Sequence, residues 1–192
     1  AEVAAAALGI TLTKRGKHQG GDIPMAGVPV PALEGYLARL IRLGHRVAIC
    51  DQIETPAEAK KRGSKSIVAR DIVRVVTPGT LTEDSLLDAR GANRLAAVAV
   101  RKGRAAVAVV ELSAGAVDSV ACSLGDLGPT LAGFRPSEVL VTDKGFGDPE
   151  LKAALDGSGG VVQALASAVA EPVAARGRVE RLYGVASLDG FG

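Results

Sequence analysis

Apolar and polar residues alternate between helical and strand periods along the first half of the chain. The opening AEVAAAALG is Ala-rich and closes with Gly9, which suits a helix ending in a C-cap glycine. Ile10 to Thr13 alternates as a strand, and a polar loop, KRGKHQGGD, follows it. Leu33, Tyr36, Leu37, Leu40 and Leu43 then recur at helical spacing between Pro31 and Gly44, with Arg39 and Arg42 off the stripe. A strand is expected from Arg46 to Ile53. Thr55 stands as N-cap of the short helix PAEAKKRG, with Pro56 at its first position and Glu58 completing a capping box. A further strand, IVARDIVRVV, runs into Thr77-Pro78-Gly79-Thr80, read as a type II turn. This alternation predicts an α/β or α+β domain with a mixed sheet.

At Asp88 to Asn93 the pattern lapses into DARGAN, which marks a linker between a first domain at 1–87 and a second at 94–192. In the second, RLAAVAV and AAVAVVELS flank Arg101-Lys102-Gly103-Arg104 as a hairpin, and GAVDSVACS adds a third strand. A helix near 124–134, a strand at 138–142, a helix at 149–155 and a strand at 160–163 come next. Residues 164–173 fit either helix or irregular chain, and 174–182 fits helix. Three meandering strands followed by α-β-α-β is the order of a ribonuclease-H-like fold.

The chain has 192 residues, of which 47% are hydrophobic and only 3% aromatic, so its cores must be built from Ala, Val, Leu and Ile. Residues 1–92 carry 13 Lys+Arg against 10 Asp+Glu, and residues 93–192 carry 10 against 11, which gives +3 and −1. From Lys60 to Arg74 six basic residues stand against the single acid Asp71; on charge alone this is a solvated face as readily as a nucleic-acid contact. Cys50 and Cys122 lie in apolar runs and read as buried small hydrophobes. Two cysteines without CxxC, and no signal peptide or membrane-length apolar run, predict a cytoplasmic location without a disulfide scaffold and no membrane partner.

Little in the chain suggests catalysis. Ribonuclease-H-like nucleases hold metal ions on clustered carboxylates, one of them on the first strand, but Arg94 to Val100 contains no acid, and Glu111 and Asp118 lie on later strands. The segment KRGSKS lacks the glycine spacing of a phosphate-binding loop. His18, His45 and the cysteines have no zinc-ligand spacing. What remains is binding: Lys14, Arg15 and Lys17 form a basic group with Gly16, Gly20 and Gly21 nearby, either a mobile tip or a phosphate contact. In IPMAGVP, Pro24 and Pro29 stiffen a loop carrying Met25, whose thioether suits a groove wall or a core equally well.

Seven blocks in order, ITLTKRGK, IPMAGVP, YLARLI, RVAICDQIE, PAEAKKRGSK, VRVVTPGTLTED and GVASLDGFG, resemble the MutS family of bacterial DNA mismatch-repair proteins. The resemblance implies a mixed-sheet mismatch-recognition domain followed by a ribonuclease-H-like connector domain. It also implies DNA-facing roles for Arg15, Lys17, Pro24, Met25, Ala26 and Gly27, and less directly for Lys61, Arg62 and Lys65. Implied partners are duplex DNA with mismatches or small loops, MutL, and a second subunit in a homodimer. ATP and magnesium belong, by the same resemblance, to a C-terminal ATPase domain of the whole family proteins, and this chain is expected to need no cofactor. The family's Phe-x-Glu motif, which stacks on the mispaired base, has no matching position here, so weak mismatch preference is expected. Two other readings remain open: a metal-dependent nuclease, and a protein-interaction module without DNA contact.

Overall fold

Gly9 adopts a left-handed conformation (φ 65°) and its N–H bonds Ala5 O, closing helix α1 (Glu2–Leu8) as its sequence predicts. The computed structural model describes residues 1–81 and 92–191, with the Phe191 side chain excepted. The chain divides into two compact units, Ala1–Ala92 and Asn93–Gly192. The expected linker at 88–93 lies, through residue 91, outside the described residues.

In the first unit the segment read as strand 10–13 and polar loop is instead a hairpin of β1 (Thr13–His18) and β2 (Gly21–Met25), antiparallel, with every residue exposed. Such a ribbon buries neither face, so its sequence has no period-two hydrophobic pattern to read. Gln19 (φ 48°) and Gly20 (φ 82°) are both left-handed, as a two-residue type I′ connection requires. Helix α2 (Leu33–Arg42), entered through a 3₁₀ turn at Val30–Ala32, buries Leu37, Ala38 and Ile41. Leu33 and Leu43, which the spacing placed on the apolar stripe, are exposed. The helix ends in a Schellman arrangement: Gly44 N–H bonds Ile41 O at 2.8 Å and His45 N–H bonds Leu40 O at 3.0 Å.

Strands β3 (Val47–Gln52) and β4 (Arg70–Val76) pair antiparallel, and Val76, Val47 and Ile49 pack against α2. The first unit's described strands thus form two separate antiparallel pairs, not the mixed sheet its pattern predicted. A register shift falls between Ile49 and Cys50. Cys50 is exposed, contrary to its reading as a buried residue, because it lies one residue beyond Ile49 and off the face that α2 covers. Between these strands, helix α3 (Pro56–Lys61) carries the predicted capping box, and residues 78–80 form a 3₁₀ turn with Thr80 N–H on Thr77 O. Gly79 does not have the positive φ that a type II turn needs.

The second unit holds the mixed sheet, five strands in the order β7-β6-β5-β8-β9. Strands β5 (Arg94–Arg101), β6 (Arg104–Glu111) and β7 (Ala116–Ser123) form an antiparallel meander, while β8 (Glu138–Thr142) and β9 (Val161–Leu165) run parallel to β5. Helices α4 (Leu127–Phe134) and α6 (Pro149–Leu155) cover one face, where Leu127, Leu131, Val107, Val139 and Val141 are almost wholly buried. Burying each such side chain contributes about 1.5–3 kcal/mol. Cys122 is half-buried against this core. A one-turn helix, α5 (Asp143–Phe146), follows β8 and has no counterpart in the sequence pattern. Helix α7 (Pro172–Tyr183) ends at Gly184 (φ 65°), and Arg176 holds Asp189 at 2.9 Å, tying the chain's last segment to it.

Candidate nucleic-acid interface

The β1–β2 ribbon holds four of the nine residues singled out from the sequence, Arg15, Lys17, Pro24 and Met25, with Ala26 and Gly27 in the loop after it, and its geometry follows from one irregularity. Lys14 pairs with Pro24 and Lys17 with Asp22, so three steps on β1 match two on β2. The extra residue is a bulge at Arg15–Gly16, opposite Ile23, and Gly16 supplies a φ of 154° that other residues rarely adopt. Without the bulge, Lys14 and Lys17 point to opposite faces; with it they share one. That face also carries Asp22, whose Oδ2 lies 3.2 Å from Lys14 Nζ. Lys14, Asp22 and Pro24 line, with Glu2, an open trough of about 620 Å³.

Pro24 is tolerated in β2 because a two-stranded ribbon has only edge strands. Met25 ends β2 partly exposed, and its carbonyl accepts a hydrogen bond from Thr13 Oγ1 at 3.0 Å, which pins the ribbon's base. Met25 is therefore a surface residue, which removes the core alternative. Ala26 is half-buried and Gly27 exposed in the loop that follows. Among the described residues, neither Arg15 nor Lys17 has an acidic partner.

The second basic group lies elsewhere, at the end of α3 and in the loop to β4. Lys61 and Lys65 are exposed there. Arg62 differs: its Nη2 forms an ion pair with Glu54 and donates to Ile67 O at 3.2 Å. Glu54 Oε1 also accepts from Ala69 N–H at 2.6 Å, so Arg62 and Glu54 together clip the loop closed. The Arg62 guanidinium is thus committed to its own loop, while Lys61 and Lys65 remain available to a ligand. Upstream, Glu58 Oε2 accepts Thr55 N–H at 2.8 Å, and this bond from Thr55 holds the Glu58 carboxyl below its ordinary pKa.

The acids raised as metal ligands do not cluster. Glu111 faces Arg94 at 3.6 Å, and Asp118 lies on β7 opposite Val109. Among the described residues no three His, Cys, Asp or Glu side chains stand close enough to hold a metal ion. No helix among them is long and apolar enough to cross a membrane.

Comparison with known proteins bears on the whole of this geometry. Residues 1–85, which include both basic groups, match the family model described as MutS domain I. The DNA mismatch repair protein MutS of Caulobacter vibrioides is 63% identical over 189 residues, covering 98% of this chain and 21% of that protein. Its namesakes in Ruegeria pomeroyi and Nitrobacter hamburgensis are 52% and 49% identical over 192 and 196 residues, each alignment covering 100% of this chain and 22% of the relative. The chain thus spans about a fifth of the length of the curated relatives it matches. With residues 1–85 in the domain I model and such identity over the remainder, the chain belongs to the MutS family.

Proposed function

We propose that this chain works in DNA mismatch repair, contacting duplex DNA through the β1–β2 ribbon of its first unit. The observation that carries the reading is the ribbon itself: every residue is exposed on both faces, and Arg15 and Lys17 have no acidic partner among the described residues. A hairpin that buries nothing contributes little to the fold, whereas a basic two-stranded ribbon has the width to lie along a DNA groove. Its cations neutralise phosphates, with Met25, Ala26 and Gly27 at the base of the ribbon approaching the duplex. Lys61 and Lys65 add a second set of phosphate contacts. Contacts of this kind position a protein without reading base sequence.

The second unit, in this reading, is a connector of ribonuclease-H-like architecture that relays to MutL and to the ATPase domains of the longer family proteins. The sheet order, an antiparallel meander flanked by two parallel strands, supports it. No catalytic role is assigned to the chain; ATP and magnesium belong to parts of the longer family proteins outside the matched fifth.

Fluorescence anisotropy with matched and mismatched duplexes tests the reading. Replacing Arg15 and Lys17 by Ala weakens binding to both duplexes by a similar factor and makes the salt dependence shallower by about two in log–log slope. Unchanged binding in that variant removes the ribbon from the interface and favours a protein-interaction module.

A further inference from the structure

We propose that the second unit carries a phosphodiester-binding site of its own, at the tip of the β5–β6 hairpin beside α5, where Arg101, Lys102, Arg104 and Lys144 receive the backbone of a DNA duplex. The inference rests on the DNA-binding reading above but uses different residues, none of which that reading assigns.

The hairpin tip departs from what stability alone favours in two ways. Arg101 and Arg104 are direct cross-strand partners, and like charges directly opposite one another are destabilising. Between them Lys102 (φ 52°) and Gly103 (φ 72°) form a two-residue turn with both φ positive. The first position of such a turn favours Asn, Asp or Gly, and a lysine there carries both backbone strain and a third positive charge. Leu124 N–H bonds Gly103 O at 3.0 Å, so the tip is held in place rather than left free to spread its charges. None of the three cations has an acidic partner among the described residues. Strain of this kind persists where the surrounding structure enforces it, and it clusters at ligand-binding sites.

Topology places a recess at the same end of the sheet. Strands β5 and β8 are parallel neighbours, yet the chain leaves β5 towards β6 on one side and β8 towards β9 on the other. In sheets with parallel strands, ligands bind outside the carboxyl ends at such a reversal. A groove of about 900 Å³ lies there, lined by Arg101 and Arg104 from the hairpin, Thr142 at the end of β8, and Lys144 and Asp148 beyond it. Asp148 is occupied in capping α6, its Oδ1 accepting Glu150 N–H at 2.9 Å and Leu151 N–H at 3.2 Å. The first amides of α5 are also taken, Lys144 N–H by Asp143 Oδ1 and Gly145 N–H by Thr142 Oγ1. Recognition therefore falls to side-chain cations, which suits a polyanion with spaced charges better than one small anion seated on backbone amides. The second unit is net negative over its length, with 10 Lys+Arg against 11 Asp+Glu, so four of its ten cations at one end form a local concentration against the overall charge.

The test compares the full chain with two variants, a tip variant (Arg101→Ala, Lys102→Asn, Arg104→Ala) and a ribbon variant (Arg15→Ala, Lys17→Ala). Affinity for a labelled duplex is followed against salt concentration, and stability by urea unfolding. The tip variant is expected to bind at least tenfold more weakly at low salt, with a log–log salt slope shallower by about two to three. Its urea midpoint is expected to stay level or rise, since charge repulsion and turn strain are both relieved, an outcome that misfolding cannot imitate. Lys144→Ala alone shifts the slope in the same direction by about one. An unchanged slope in the tip variant, while the ribbon variant weakens binding, overturns this inference and leaves the ribbon reading intact. Absence of duplex binding by the unmodified chain overturns both. Poly-glutamate displacing duplex from the ribbon variant at equal charge concentration also overturns the inference, and points to an acidic protein surface instead.

Discussion

Lys14 Nζ and Asp22 Oδ2 stand 3.2 Å apart on the face of the bulged ribbon that Lys17 shares, so one of the ribbon's cations is partly neutralised by its own hairpin. Both side chains are well exposed, and an ion pair of this kind adds about 0–1 kcal/mol to stability. Its larger effect is on the ribbon's charge. Asp22→Asn is expected to leave the unfolding midpoint nearly unchanged, to tighten duplex binding about two- to fivefold at low salt, and to steepen the salt slope by up to about one as Lys14 becomes available to a phosphate. Salt-titrated anisotropy reads all of this, and weaker binding in the variant contradicts the placement of this face against DNA.

Arg62 and its neighbours Lys61 and Lys65 separate two roles that look alike in sequence. Removing the Arg62 side chain leaves Glu54, whose side chain is 17% exposed, holding only Ala69 N–H. Arg62→Ala is therefore expected to speed hydrogen exchange in residues 63–69 and to expose the loop to proteases, with little change in the salt slope of DNA binding. Lys61→Ala with Lys65→Ala should do the reverse, lowering the slope by about two and leaving exchange unaltered. A swapped pattern would return Arg62 to the interface.

The capping box of α3 gives a pH-dependent prediction. Thr55 Oγ1 accepts Glu58 N–H at 3.3 Å while Glu58 Oε2 accepts Thr55 N–H at 2.8 Å. Thr55→Ala should cost about 1 kcal/mol by chemical denaturation at neutral pH. The bond from Thr55 lowers the Glu58 pKa in the folded chain, so the unfolded chain holds that proton more tightly. The stabilisation is fully present above the unfolded carboxyl value and is lost as pH falls through the lower folded value. Thr55→Ala keeps this N–H bond but removes a second one that lowers the same pKa, from Thr55 Oγ1 to Glu58 Oε2 at 2.8 Å, so the difference between parent and variant is expected to narrow on acidification below about pH 4 by that side-chain contribution alone. A difference that grows on acidification contradicts the capping geometry.

Where sequence and structure part company, the cause is local burial. The elements of the second unit other than α5 were legible: β8 and α6 match their expected residues, and alternating Ala and Val on β5 and β6 reports one packed face. Thr55 and Glu58 announced α3 through their spacing alone. The β1–β2 ribbon was hidden because it packs on nothing, and only the glycine pair of its turn, HQGG, carried a signal, since Gln19 at positive φ is not a residue that position favours. For the same reason the bulge at Gly16, which puts Lys14 and Lys17 on one face, has no trace in residue spacing. Arg62 and Lys61 are indistinguishable in a run of charge; the ion pair with Glu54, eight residues earlier, separates them. Only the first unit's described strands depart from the expected mixed sheet, since alternating strands and helices in residues 10–76 leave open which strands pair.

Among the described glycines of the second unit, Gly160, next to β9, leaves the least room for a side chain. A Cβ built on Gly160 lies 2.6 Å from Pro136 O and 3.2 Å from Glu138 N, both backbone atoms at the entry to β8. The hydrogen bond from Val161 N–H to Ser137 O, 3.0 Å, begins the parallel pairing of β8 with β9 at this point. A methyl group there cannot be relieved by a side-chain rotation; the strands must separate or the ladder must slip. Gly160→Ala is accordingly expected to destabilise the second unit by about 1–3 kcal/mol, the range for an overpacked interior site. Exposed glycines supply the control: Gly133→Ala, with open space around its Cβ on the helix α4, is expected to stabilise by up to about 1 kcal/mol through helix propensity. Urea unfolding of the two variants in parallel reads the contrast, and similar midpoints would show that β9 is not held against Pro136 as the backbone distances require.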